Sequence, residues 1–151
     1  MCRVAGHHGI VLRLPARGWI DDQDLGGRPQ CVGIVAARDP RFLSTLAACE
    51  KHLRFGNHLY RYRAPDDFGE PETAFNICTF WYINALAQIG RKDEARELFE
   101  EMLNCRTRLG LLSEDLEVKS GELWGNFPQT YSLVGIILGA IRLSKPWEDA
   151  F

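Results

Sequence analysis

Two kinds of apolar pattern alternate along the chain. Between Asp39 and Arg54, Phe42, Leu43, Leu46, Ala47 and Leu53 recur at helical spacing while Arg41, Ser44, Glu50 and Lys51 fall elsewhere. That predicts a helix with one apolar face. Asp39-Pro40 supplies its start, an acidic N-cap followed by a proline at the first helical position, where a missing N–H costs nothing. Gly56 and Asn57 end it. From Thr73 to Gly90 no residue is charged, so the helix predicted there is apolar almost all round and must be covered on nearly every side. Gly90 caps it, and Arg91 to about Thr107 returns to the one-sided pattern. Ala95, Leu98, Phe99, Met102 and Leu103 oppose Lys92, Glu97, Glu100, Glu101 and Arg106. Gln129 to about Ser144 is again nearly uncharged, with Tyr131, Leu133, Val134, Ile136, Ile137, Leu138 and Ile141, and predicts a second buried helix ending before Pro146.

The order is surface, buried, surface, buried. It predicts an all-α fold, and it fits an α-helical toroid in which outer and inner helices zigzag around a ring; a plain helical bundle fits the same periodicity. Between the first two helices, HLYRYRAPDDFGEP reads as a structured loop with room for one short strand. The first thirty residues have no sustained period and carry Pro15, Gly18, Gly26, Gly27 and Pro29. Residues 1–31 are therefore set apart as an atypical N-terminal segment, with the expectation that they are not native to the fold of residues 32–151.

Charge removes several classes of function. Lys and Arg number 18 against 20 Asp and Glu, a formal net charge of −2, with the basic residues scattered, so phosphate-driven binding of nucleic acid is not expected. No stretch approaches the roughly 20 uninterrupted apolar residues of a membrane span, and no signal-peptide order opens the chain. The expectation is a cytoplasmic protein without membrane contact. Five cysteines, Cys2, Cys31, Cys49, Cys78 and Cys105, form no C-x-x-C pair, and His7, His8, His52 and His58 lack partners at ligand spacing; reduced thiols and no metal are expected. Phosphate-loop, dinucleotide and nucleophile-elbow motifs are absent, so no cofactor is expected.

ALAQIGRKDEARELFEEML resembles one unit of a tetratricopeptide-type repeat, which would make the chain a helical interaction module. A period of about 34 residues fails on both sides. One step back, Ala95 falls on Arg61 and Phe99 on Pro65; one step forward, Ala95 falls on Gln129. The interaction module stays as the alternative reading.

The stretch GLLSEDLEVKSGELWGNFPQTYSLVG places Glu114, Asp115, Glu117 and Glu122 directly before the last apolar helix. A carboxylate held between buried helices can serve as an acid or base. A solvated loop with helix-capping acids produces the same local pattern. Apolar GLL before Glu114, and Trp124, Phe127 and Tyr131 after it, give the stretch flat rings suited to sugar faces as well as to packing.

Read in order, DPRFLSTLAACEKHL, YRY, ETAFNICTFWYINALAQIGRKDEARELFEEML, GLLSED and GNFPQTYSLVGIILGAIRLS resemble the C-terminal part of the catalytic domain of glycoside hydrolase family 15, the glucoamylase, glucodextranase and bacterial trehalase group. The resemblance runs from about Val32 to Leu143. It implies part of an (α/α)6 toroid and inverting hydrolysis of α-glucosidic bonds by two carboxylic acids. The family's general base matches Glu114; its general acid lies far upstream, in a segment this chain does not contain. By the same matching Arg61 is a candidate sugar contact, and Glu72 with Trp81 are candidates for the pocket floor. Thr73 stands where the family usually has glycine and Leu133 where it commonly has histidine. The expectation is a fragment that carries the base, is inactive alone, and exposes inner-helix surface to aggregation or to a complementary chain.

Overall fold

A computed structural model describes residues 37–65, 67 and 69–144. The N-terminal segment 1–31, with Cys2, Cys31, His7 and His8, and Pro146 lie outside the described residues. Helix α1 (Pro40–Leu53) starts at Asp39, whose carboxylate accepts from the Arg41 backbone N–H at 2.8 Å. Its buried face is Leu46, Cys49 and Leu53, with Leu43 and Ala47 exposed, so the apolar stripe is rotated from the expected one. Both Leu43 and Ala47 fit the helical period, but the neighbouring elements reach only the side that Cys49 marks.

Strands β1 (Arg54–Phe55) and β2 (His58–Leu59) follow as an antiparallel hairpin. Gly56 takes its turn at φ 58°, a left-handed conformation that favours glycine. The loop after β2 leads to β3 (Thr73–Phe75) and directly into α2 (Asn76–Gln88). The uncharged run thus begins as a strand. Strand β3 pairs antiparallel with β4 (Asp115–Glu117), and β4 with β5 (Leu123–Trp124), in a three-stranded sheet. The fold is accordingly helix-rich rather than purely α. The acidic stretch opens no helix: it forms the β4–β5 hairpin, turned at Glu117–Glu122.

Helix α2 is covered on nearly every side. Ten of its residues are buried, including Phe80, Ile83 and Leu86, and the charge-free sequence is what permits this without stranding an ion. After Gly90, at φ 94°, α3 (Lys92–Asn104) folds back and buries Ala95, Leu98, Phe99 and Met102, the stripe its sequence predicts. Helix α4 (Thr130–Leu143) departs from expectation. It buries Ser132, Gly135, Gly139 and Leu143, while Tyr131 (64%), Ile137 (58%) and Ile141 (62%) stay exposed. The reason is steric. Its small residues let it lie close on the aromatic side chains of its neighbours: a Cβ at Gly135 would sit 2.4 Å from Phe80 Cδ2, and one at Gly139 would sit 2.6 Å from Phe99 Cε2. Tyr131, Ile137 and Ile141 then point outward, while Ile136 and Leu143 still pack against the core.

Helices α2 and α4 run in the same direction. Their first turns meet at Ser113, whose carbonyl accepts from Asn76 Nδ2 at 3.0 Å and from Ser132 Oγ at 2.7 Å, and one turn further on Phe80 faces Gly135. Helix α3 runs the opposite way, since Phe99 lies on Gly139 while Arg96, nearer its start, donates to the Leu143 carbonyl at 3.0 Å. At the far end from Ser113, Glu50 accepts from Tyr82 Oη at 2.7 Å and from Arg91 Nη2 at 2.9 Å. Arg54 reaches Glu94 at 3.0 Å in the same cluster, tying α1 to the α2–α3 turn. No helix among the described residues is long and apolar enough to cross a membrane.

Candidate active site

The segment 112–114 lies across the starts of both apolar helices. Gln129 N–H donates to the Leu112 carbonyl at 2.9 Å, and Asn76 N–H donates to the Glu114 carbonyl at 3.0 Å. Leu112 and Ser113 are fully buried, so the chain leaves the core at Glu114. Here it meets Asn126 in three hydrogen bonds. Glu114 N–H donates to the Asn126 carbonyl at 2.9 Å; in return Glu114 Oε2 accepts from Asn126 N–H at 3.2 Å and from Asn126 Nδ2 at 2.9 Å. A carboxylate gripped this way keeps its orientation.

Asp115 begins β4 opposite Phe75 and Trp124. Successive side chains in a strand point to opposite faces, yet here the two carboxyls converge. A Cβ on Gly125 would lie 3.1 Å from Glu114 Oε2 and 3.4 Å from Asp115 Oδ2. Gly125, at φ 77°, therefore provides both the backbone conformation and the space. Burial, and next the neighbouring Glu114 charge, push the Asp115 carboxyl up to about 6, with Arg61 working against both. Trp124, Phe127 and Tyr131 are exposed around this end of the molecule.

Of the four residues singled out from sequence, the structure brings two together. Glu114 adjoins Asp115, and the Arg61 guanidinium lies 5.6 Å from the centre of the Phe75 ring, which is paired with Asp115. Glu72 is exposed one residue before β3; at about 3.3 Å per strand residue its Cα stands roughly 10 Å along the chain from Phe75. Its backbone carbonyl accepts from Tyr60 Oη at 3.3 Å. Trp81 is half-buried and packs against the core. Five helical positions beyond Asn76, it points about 140° away from the face that meets Ser113.

Sequence reasoning missed Asn126, Ser113, Ser132 and Asn76. A signal existed for two of them. Ser132 and Asn76 each interrupt an apolar run, and an uncharged polar residue in a buried helix needs a partner. Asn126 gives none, because its partner lies twelve residues back. Among the described residues, Cys49, Cys78 and Cys105 form no disulfide. Among the described residues no three His, Cys, Asp or Glu side chains are grouped to hold a metal ion.

No protein-family model matches the chain. Nor does any solved structure match it significantly. Known proteins do share its sequence. It is 41% identical over 115 residues to the trehalase of Thermoplasma volcanium, an alignment covering 76% of this chain and 18% of that protein. It is 37% identical over 121 residues to the trehalase of Thermoplasma acidophilum, covering 80% and 20%, and 32% identical over 119 residues to that of Mycolicibacterium smegmatis, covering 77% and 18%. The chain thus spans about a fifth of the length of the curated relatives it matches, and over that fifth it is a homologue of trehalases.

Proposed function

We propose that the chain is part of an inverting glycoside hydrolase acting on α-glucosidic bonds, with trehalose, an α,α-linked diglucoside, as the first substrate to test. The observation that carries this reading is the homology to trehalases over three quarters of the chain. The hold of Asn126 on Glu114 agrees with it. Glu114 acts as the general base, taking a proton from the water that attacks the anomeric carbon. Inversion requires a second carboxylic acid on the other side of the scissile bond, roughly 6.5–9.5 Å away, to protonate the leaving oxygen. Asp115 does not fill that role, because it converges with Glu114 on Gly125 and so approaches from the same side. The acid comes from outside residues 37–144.

Arg61, beside Asp115, is placed to donate to sugar hydroxyls, and exposed Trp124, Phe127 and Tyr131 offer rings to sugar faces. Glu72 and Trp81 help to build the pocket floor. The parallel α2 and α4, backed by α1 and α3, form a segment of an (α/α)6 toroid. The apolar face of α4 is covered there by further inner helices on a complementary length of polypeptide. Alone, the 151-residue chain does not catalyse.

The test uses the purified chain with trehalose and maltose, with and without a polypeptide carrying the remaining four fifths of a homologous trehalase. The expected result is no hydrolysis by the chain alone and restored hydrolysis in the mixture, reduced about 10²–10⁴-fold by Glu114→Gln. Hydrolysis by the chain alone that Glu114→Gln abolishes would overturn its dependence on a partner. Restored hydrolysis indifferent to Glu114→Gln would overturn the role of Glu114.

A further inference from the structure

We infer that Asn126, seated by the missing side chain of Gly125, is a positioning residue that presets the Glu114 side chain within this chain alone, before any complementary polypeptide is present. This rests on the reading of Glu114 as the base, and it adds what aims that base. A glutamate side chain turns about three bonds, and Glu114 is only half-buried, so holding it in one rotamer takes a specific contact. The contact is made twice on one oxygen. Glu114 Oε2 accepts from the Asn126 backbone N–H at 3.2 Å and from its Nδ2 at 2.9 Å. Gly125 makes the approach possible. A Cβ there would lie 3.0 Å from Glu114 Cβ and 3.1 Å from Oε2, crowding the glutamate at its root and its tip, and φ 77° is a conformation that favours glycine.

The hairpin closes without the Asn126 side chain. Glu114 N–H donates to the Asn126 carbonyl at 2.9 Å, a main-chain contact that any residue at 126 supplies. At the far end the turn is braced by Glu117, whose carboxylate accepts from Lys119 N–H at 3.1 Å and from Ser120 N–H at 2.6 Å. Asn126 is exposed, so its side chain adds no core packing. Its amide is thus spent on the carboxylate rather than on the fold. The backbone on both sides of the clasp is tied down as well, Glu114 through its carbonyl to Asn76 N–H and the start of α4 through Gln129 N–H to the Leu112 carbonyl. Every group in the arrangement belongs to this chain, so the aim of Glu114 is set before a partner brings the acid.

The experiment measures three-bond NMR couplings about Cα–Cβ and Cβ–Cγ of Glu114 in the full 151-residue chain, with backbone amide spectra to establish folding. The parent is expected to show one rotamer. Asn126→Ala and Asn126→Asp, the second of nearly the same size but without the donor, are expected to give rotamer-averaged couplings while the Glu114 amide keeps its protection from exchange. Couplings unchanged in the folded variants would overturn the proposal, and so would averaging that comes only with loss of that protection, the mark of a brace for the hairpin. Should neither variant fold, the reciprocal change decides. Glu114→Ala is expected to speed exchange of the Asn126 side-chain amide at least about tenfold, and an unchanged rate would overturn the clasp. In the mixture that restores hydrolysis, Asn126→Ala is expected to lower kcat roughly 10- to 100-fold with KM within about twofold, and an unchanged kcat would overturn the positioning role. Absence of hydrolysis by the parent mixture would count against the hydrolase reading alone, since the couplings decide the clasp without sugar.

Discussion

Helices α2 and α4 have nearly the same kind of sequence and opposite surroundings. Each is free of charge over its first three turns, each starts at Ser113, and each contacts the other along its length. Phe80 of α2 is fully buried, whereas Ile137 and Ile141 of α4 are more exposed than not. An apolar pattern therefore states that a helix is made to be covered, without stating which polypeptide covers it. The covered helix is held by its large side chains, and the uncovered one by its glycines.

The largest test of that contrast truncates the side chain at its centre. Phe80→Ala removes the ring that meets both Gly135 and the edge of Phe99, and is expected to cost about 3–5 kcal/mol, read by urea denaturation. Gly135→Ala tests the same seam from the other helix. Its added methyl has no room beside Phe80, and a loss of about 1–3 kcal/mol is expected by the same measurement, despite the better helix propensity of alanine. The smallest effect belongs to the outer face of α4. Ile137→Lys should change the stability read from urea denaturation by no more than about 0.5 kcal/mol while reducing concentration-dependent association in sedimentation velocity. A loss comparable to that of Phe80→Ala would mean that the exposed face is already covered, and the contrast would collapse.

How much of this was legible depends on how local its cause is. Helices α1 and α3 were readable to within a few residues at their ends, since Asp39-Pro40 and Gly90 punctuate them and their polar faces are charged. Strand β3 was not. Thr73–Phe75 continue the uncharged run of α2, and only pairing with Asp115–Glu117, some forty residues later, pulls them into a sheet. The hairpin built from the acidic stretch was hidden for the same reason, because Ser113-Glu114-Asp115 has the composition of a helix start and its strand partner lies elsewhere. Glu114 was reached through a motif rather than through periodicity. Its clasp by Asn126 could not be, since it joins two turns that become neighbours only after β4 and β5 pair.

The Ser113 carbonyl has a consequence for timing as well as for place. It accepts from Asn76 and Ser132 at once, and the next residue is Glu114. The amide of Asn76 is bonded to the Glu114 carbonyl and that of Gln129 to Leu112, so neither can meet solvent while both helix starts remain seated. Their hydrogen exchange is thereby coupled to a shared opening of the seam, and Glu114 drifts out of register only when two helices let go together.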